Sequence, residues 1–287
     1  MRTIFHIATK KEWAEAQEKG FYRTRSLEKE GFIHFSRPQQ VQGVSERHFK
    51  GAKDLVLLEI EQELIKGELK YEGAEYDKFP HLYAQLNLDS IKDSFDMDFS
   101  DKPFTFPAKY KLLNETLIRP AVISDAAELA NVHLNAWRES YQNIVPENYL
   151  DRLPLSFRGR QKFWEYLLKE AKDSFTFVAE SADNGIVGFS SVGDARDSDY
   201  EGWGELAAIY LLKQFKNKKI GTALLQVAFE KLKSRNFENN YCWVLENNST
   251  IEFYEKLGAI KGLGKKTIER EIELTEISME WKKSTDL

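Results

Sequence analysis

Glu205-Leu-Ala-Ala-Ile-Tyr-Leu-Leu-Lys-Gln-Phe-Lys-Asn-Lys-Lys-Ile-Gly-Thr-Ala-Leu-Leu225 decides the fold of the second half of this chain. Its apolar run from Leu206 to Leu212 reads as a strand, Lys213 to Lys219 as a polar loop, and Ile220–Gly221 as the opening of an amphipathic helix. A strand, a basic turn and a helix N-terminus form a phosphate-binding layout. The first N–H groups of a helix lack internal acceptors, and the macrodipole places partial positive charge beside them. Lys216, Lys218 and Lys219 add full positive charge at that same end. Each cation there costs a few tenths to about 1 kcal/mol, a cost that an anionic ligand reverses. The competing reading is a solvated basic turn.

Working outward, 287 residues suggest two domains, each long enough for its own core. Hydrophobic content of 42% and charged content of 30% are those of an ordinary soluble protein. The formal net charge of −5 argues against a nucleic-acid or membrane-surface partner. The single Cys242 excludes an internal disulfide and a cysteine metal cluster, and fits a reducing cytoplasm. Glu12, Glu15 and Glu18 follow too early for a secretory signal, and no apolar run approaches the ~20 residues of a membrane helix.

Residues 1–113 read as an α+β domain. Thr3–Ala8 is a strand, Thr9-Lys-Lys-Glu12 a capping box, Phe32–Phe35 and Asp54–Ile60 further strands, and Leu88–Ser94 a closing helix. His6 and His34 each interrupt an apolar strand, where an imidazole needs a hydrogen-bond partner. With His81 they either converge on a pocket or remain separate core histidines; their spacings carry no metal signature. Asp96 to Glu115, with Pro103 and Pro107, reads as a semi-rigid connector.

Residues 114–287 read as an α/β domain. Its order is strand, two helices, three strands, the Ile220 helix, a strand, a short helix stopped by Gly258, and two strands. Asp183-Asn-Gly185 is a hairpin signal. Glu205, at the start of the central strand, reads either as a plain strand-end carboxylate or, if the domain's chemistry must accept a proton, as the general base, with Glu201 in reserve.

Several motifs support a resemblance. Lys216-x-x-Lys219-x-Gly221, Ala136-Trp-x-x-Ser-Tyr141 and Asn247-x-x-Thr-x-x-Phe253-Tyr254-Glu-Lys-Leu-Gly258-Ala259 resemble the acetyl-CoA loop, substrate-side helix and motif B of the GNAT superfamily of N-acetyltransferases. That resemblance implies a mixed, mostly antiparallel sheet splayed at its central strands, with acetyl-CoA as cosubstrate. It implies that Lys216, Asn217, Lys218, Lys219, Ile220, Gly221 and Thr222 hold the pyrophosphate, and that a backbone N–H of Tyr210 or Leu211 meets the oxyanion. Asn247 would hold the pantetheine arm or cap the helix, in competition with Ser249, and Tyr254 would protonate the departing thiolate. Lys219 stands where the pattern has glycine, and is expected to keep φ negative with its side chain outward. The acceptor is a small-molecule or peptide amine, with no nucleic acid or membrane partner; a monomer and a dimer both stay open. A non-catalytic ligand-binding or regulatory protein is the alternative.

Ile4-Phe-His-Ile7, Gly20-Phe-Tyr22, Glu30-Gly-Phe-Ile-His34-x-Ser36 and Phe79-Pro-His-Leu-Tyr83 resemble a small bacterial family of unknown function, itself similar to the ADP-ribosyltransferase fold. This second resemblance implies a ligand pocket at His6, Tyr22, Ser26 and His34, to which the residue pattern above adds His81. It leaves open an NAD-using first domain in a bifunctional chain.

Overall fold

The computed structural model describes residues 3–74, 77–97, 106–107, 110–113 and 115–283. It divides into two units, residues 1–117 and 118–287, where the sequence suggested a boundary at 113/114. Pro103 lies outside the described residues.

The first unit contains β1 (Thr3–Thr9), α1 (Lys10–Lys19), β2 (Phe21–Tyr22), α2 (Arg25–Lys29), β3 (Ile33–His34), α3 (Pro38–His48), β4 (Leu55–Glu61), β5 (Leu69–Ala74), β6 (Asp77–Leu82), β7 (Leu86–Asn87), β8 (Ile91–Met97) and β9 (Lys111–Leu113). Thr9 closes the expected capping box with Glu12, and Gly20 ends α1 in the left-handed region at φ 78°. Leu88–Ser94 is not a helix: one 3-10 turn, Leu88–Ser90, leads into β8. The reason lies in β4, whose Leu55, Val56, Leu57, Leu58 and Ile60 are all buried. A strand covered on both faces takes a partner on each edge, and β4 lies between β1 and β8. A second three-stranded sheet runs β3-β6-β5. Its strand β5 mixes Leu69 and Tyr71 with Lys70, Glu72 and Gly73, too weak a pattern to mark a strand in the sequence.

The second unit opens within β10 (Thr116–Pro120), at Ile118, and contains α4 (Ala126–Tyr141), α5 (Glu147–Arg152), α6 (Phe157–Glu170), β11 (Ser174–Ser181), β12 (Gly185–Asp194), β13 (Gly204–Leu211), α7 (Ile220–Ser234), β14 (Asn240–Leu245), α8 (Thr250–Lys256), β15 (Ile260–Glu269) and β16 (Glu273–Trp281). Its strands lie in the order β15-β16-β14-β13-β12-β11-β10, and only β13 and β14 are parallel neighbours in the described ladders. Helix α4 buries Ala126, Leu129, Ala130 and Val132 against Val178, Ile186 and Phe189 of the sheet and Trp164 of α6. Arg119 of β10 is buried and donates to both oxygens of Asp125 (2.7 and 3.0 Å) and to Glu180 of β11 (2.6 Å). Burial works against the guanidinium's charge, but the two carboxylates outweigh it and raise its pKa. Gly185 takes φ 65° at the hairpin, and a Cβ there would strike the Glu128 carboxylate, which accepts from the Ile186 N–H. The outer strand β15 follows β16 to Lys261↔Met279 and rejoins it at Lys265↔Ile277. Residues 262–264 arch out between, with Leu263 in solvent.

Candidate active site

The feature that sets the site is the short pairing of β13 with β14, which meet only at Gly204↔Asn240 and Glu205↔Tyr241. On its other edge β13 follows β12 as far as Gly188↔Leu211, with Ala207 bulged between the pairs Ser191↔Ala208 and Val192↔Leu206. Beyond Glu205 one edge of β13 therefore faces a crevice rather than a strand. Leu212 donates its N–H to Val187 of β12 at 2.9 Å. Because N–H direction alternates along a strand, Tyr210 also points its N–H at β12, while Ile209 and Leu211 point theirs into the crevice. Of the two residues expected at the oxyanion, Leu211 is thus suitably oriented and Tyr210 is not; Ile209 was missed, since backbone direction leaves no trace in residue type.

The loop that follows β13 ends at the start of α7. Ala223 makes the first helical bond, N–H to Lys219 O at 3.0 Å, so the N–H groups of Ile220, Gly221 and Thr222 precede the ladder. No acceptor for them occurs among the described residues. A Cβ on Gly221 would only touch the Phe253 ring at 3.5 Å, so packing within the protein does not require glycine there. Lys219 corrects an expectation: its φ is +61°, and Asn217 stands at +63°. The loop takes the glycine-type backbone without glycines, at a cost that Asn tolerates and Lys does not. Lys218 Nζ lies 5.2 Å from the Phe215 ring centre.

Across the crevice, Tyr254 of α8 is buried, with its ring 5.5 Å from Trp281. Burial first, then the neighbouring Cys242 and Tyr141, push its pKa well above the ordinary tyrosine value, so it keeps its proton. Tyr141 of α4 and Tyr210 of β13 share a hydroxyl hydrogen bond of 3.1 Å, a pair that no spacing in the sequence revealed. His133 stacks on Tyr210 at 5.1 Å, and burial followed by the charge of Arg160 pushes its pKa down to about 3. Asn247 is exposed and free for a ligand, because capping falls to its neighbour: Asn248 accepts from the Thr250 N–H at 2.9 Å. Ser249 takes the N-cap position of α8 without a side-chain hydrogen bond, and Asn247 lies two residues before it.

Glu205 is the second correction. The residue is 4% exposed, and its carboxylate accepts from the Arg196 N–H (3.0 Å), Nε (2.9 Å) and Nη2 (2.5 Å). Burial alone would raise its pKa, but the Arg196 hydrogen bonds and charge outweigh burial and hold it below the usual carboxylate range. A carboxylate so engaged, at the paired end of β13, is a structural anchor and a poor proton acceptor. Glu201 lies in the preceding loop and lines an open cleft of about 430 Å³ with Asp194, Arg196, Asp197 and Trp203.

In the first unit the side chains of the five expected residues fall into separate contacts: His6 with Tyr22, Ser26 with Thr24 and Phe32, and His34 with His81. His6 donates Nδ1–H to the His34 carbonyl (2.6 Å) and accepts at Nε2 from the Tyr22 hydroxyl (2.8 Å). Burial pushes its pKa down to about 4. With both nitrogens engaged, His6 has no ring nitrogen left for a ligand. Ser26 donates to the Phe32 carbonyl at 2.9 Å and pairs with Thr24 at 2.8 Å. Two ring pairs form among the five: His34 with His81 at 4.9 Å and His6 with Tyr22 at 5.2 Å.

The chain belongs to the GNAT acetyltransferase family, whose model matches residues 134–259. It is an N-acetyltransferase with acetyl-CoA as cosubstrate. Residues 7–94 match a second family, described as a protein of unknown function (DUF952). Among the relatives is the uncharacterized N-acetyltransferase YuaI of Bacillus subtilis (strain 168), 35% identical over 139 residues, covering 48% of this chain and 76% of that protein. The spermidine N(1)-acetyltransferase of Thermoplasma acidophilum is 25% identical over 143 residues, covering 49% of this chain and 86% of that one. The crystal structure of PaiA N-acetyltransferase from Thermoplasma acidophilum in complex with coenzyme A is 23% identical with a TM-score of 0.48, covering 58% of this chain and 98% of that one. In the chain described here, no helix is long and apolar enough to cross a membrane among the described residues.

Proposed function

We propose that the second unit transfers the acetyl group directly to an amine in a ternary complex, in the crevice between β13 and β14. The observation that carries this is the two-pair parallel contact, which leaves the Ile209 and Leu211 N–H groups aimed into a gap, with the bare N–H groups of α7 at the end of the loop that follows β13. The pyrophosphate would lie on the N–H groups of Ile220, Gly221 and Thr222, with Lys216, Asn217, Lys218 and Lys219 around it. Asn247 would hold the pantetheine arm. The Leu211 or Ile209 N–H would stabilise the oxyanion as the amine nitrogen bonds to the carbonyl carbon. When the C–S bond breaks, Tyr254 would give its proton to the thiolate and regain one from water, which takes up the amine proton. The amine proton leaves to water, since Glu205 is held by Arg196. Acceptor identity is tested by thiol release across α-amines, lysine and polyamines; spermidine belongs in the panel because of the relative named above. Tyr254→Phe is expected to lower kcat about 100-fold with acetyl-CoA affinity unchanged. An unchanged kcat removes Tyr254 from the mechanism.

A further inference from the structure

The first unit carries a ring cluster that acetyl transfer does not use. On the β3-β6-β5 sheet, His81 lies opposite both His34 and Lys70, so these side chains share one face. Phe32, just before β3, stacks on His81 at 4.1 Å and meets His34 at 4.8 Å and Tyr83 at 5.4 Å. The cluster is open to solvent: Tyr83 is 38% exposed and the His34 side chain 49%. Carboxylates hold its rings in place. Glu72 accepts from the Tyr83 hydroxyl (2.6 Å) and His81 Nδ1–H (3.1 Å), and Glu30 from His34 Nε2–H (3.0 Å). The Tyr83 hydrogen bond, followed by that of His81, lowers the Glu72 pKa, so its negative charge persists.

Lys70 shows what such a face attracts. Its Nζ sits 4.6 Å from the Tyr83 ring centre and 3.2 Å from Glu68. Ring faces carry negative potential, and Glu30, Glu68 and Glu72 outnumber the one lysine. Both terms favour a cation and oppose a phosphate or carboxylate. A metal ion is a poorer fit: no group of three or more His, Cys, Asp or Glu side chains is placed to hold one among the described residues. We propose that this face binds a small organic ammonium cation, with Tyr83 and Phe32 supplying the rings and Glu68 and Glu72 the counter-charge, and that Lys70 occupies the position in the free protein.

The test titrates the full chain with tetramethylammonium chloride and follows tyrosine and phenylalanine ring signals by NMR. Sodium chloride controls for ionic strength, and 2-methyl-2-propanol for shape without charge. A saturable shift of the Tyr83 signals is expected for the ammonium ion alone. Tyr83→Leu should weaken binding about 3- to 30-fold, the span of a ring–cation contact. Lys70→Ala should tighten it about threefold, because an internal competitor and a like charge are removed. A merely structural ring cluster gives no such gain. The proposal is overturned by an unsaturable shift, by an equal response to the neutral alcohol, or by Lys70→Ala binding no tighter than the parent. Should Tyr83→Leu fail to fold, Lys70→Ala, at an exposed side chain, decides alone. The readout involves no acetyl transfer, so it stands or falls separately from the mechanism of the second unit.

Discussion

Lys219→Gly should stabilise the second unit, although it shortens a side chain and frees the unfolded backbone. Lys219 holds φ +61°, ψ 4° immediately before α7. For a residue with a Cβ, that conformation costs about 1–2 kcal/mol. Its ammonium also sits at the positive end of the helix dipole, at a cost of about 0.3–1 kcal/mol. Glycine removes both penalties, while the added freedom of the unfolded chain costs about 0.4–1 kcal/mol. The net gain is about 1 kcal/mol, or a midpoint rise of about 2–4 °C for a domain of this size. Scanning calorimetry of the full chain measures it, with the second unit's transition identified as the one that acetyl-CoA raises. Lys219→Ala is the control, since it removes the charge but keeps the Cβ and the strain. A midpoint for Lys219→Gly at or below the parent's, or no higher than that of Lys219→Ala, refutes the reasoning. Acetyl-CoA affinity should fall less than tenfold in Lys219→Gly, because the backbone N–H groups remain.

Glu205→Gln should destabilise the fold by about 1–3 kcal/mol at pH 7 while leaving acetyl transfer within a few-fold of the parent. The folded-state pKa of Glu205 is lowered, so its contribution is complete above the unfolded value near 4.3 and is lost as pH falls through the folded one. The gap between variant and parent in urea denaturation should therefore close below about pH 4; a gap that ignores pH contradicts the assignment. His6 has its pKa pushed down to about 4. Below pH 6.5 the unfolded chain binds a proton that the folded chain refuses, so the first unit loses stability from pH 6.5 to about 4 and then levels. His6→Gln should flatten that segment, and an unchanged slope would point to other groups. Lys216→Glu with Lys218→Glu should weaken acetyl-CoA binding at least tenfold at low salt, with the difference shrinking as salt rises. Equal affinity would show the lysines to be surface charge.

The second unit was the more legible half, because its decisive elements are long and periodic. The strand–loop–helix from Leu206 through α7, the Asp183-Asn-Gly185 hairpin and the α8 stop at Gly258 all lie where their residues indicated. What stayed hidden were relations between distant residues. The partner of Glu205 is Arg196, nine residues earlier, and its grip turns a candidate base into an anchor. The left-handed backbone at Lys219 goes against residue preference, so preference could not foresee it. In the first unit, Leu88–Ser94 was misread because its short polar-apolar mixture fits a helix or an edge strand equally, and the exposed edge of β4 decided between them. The division of His6 from His34 and His81 likewise depends on which side chains β1 and β3 turn inward.

The arch in β15 has a consequence for how these molecules meet one another. A Cβ at Gly262 would collide with the Glu280 carboxylate, and one at Gly264 with the Trp243 ring, so the outward loop is fixed by its glycines. A visiting strand needs a straight row of free amides to zip onto, and this rim interrupts the row at its middle. Filament growth by adding strands at this rim is thereby discouraged, even though Ile260 and Leu263 show apolar surface to the solvent.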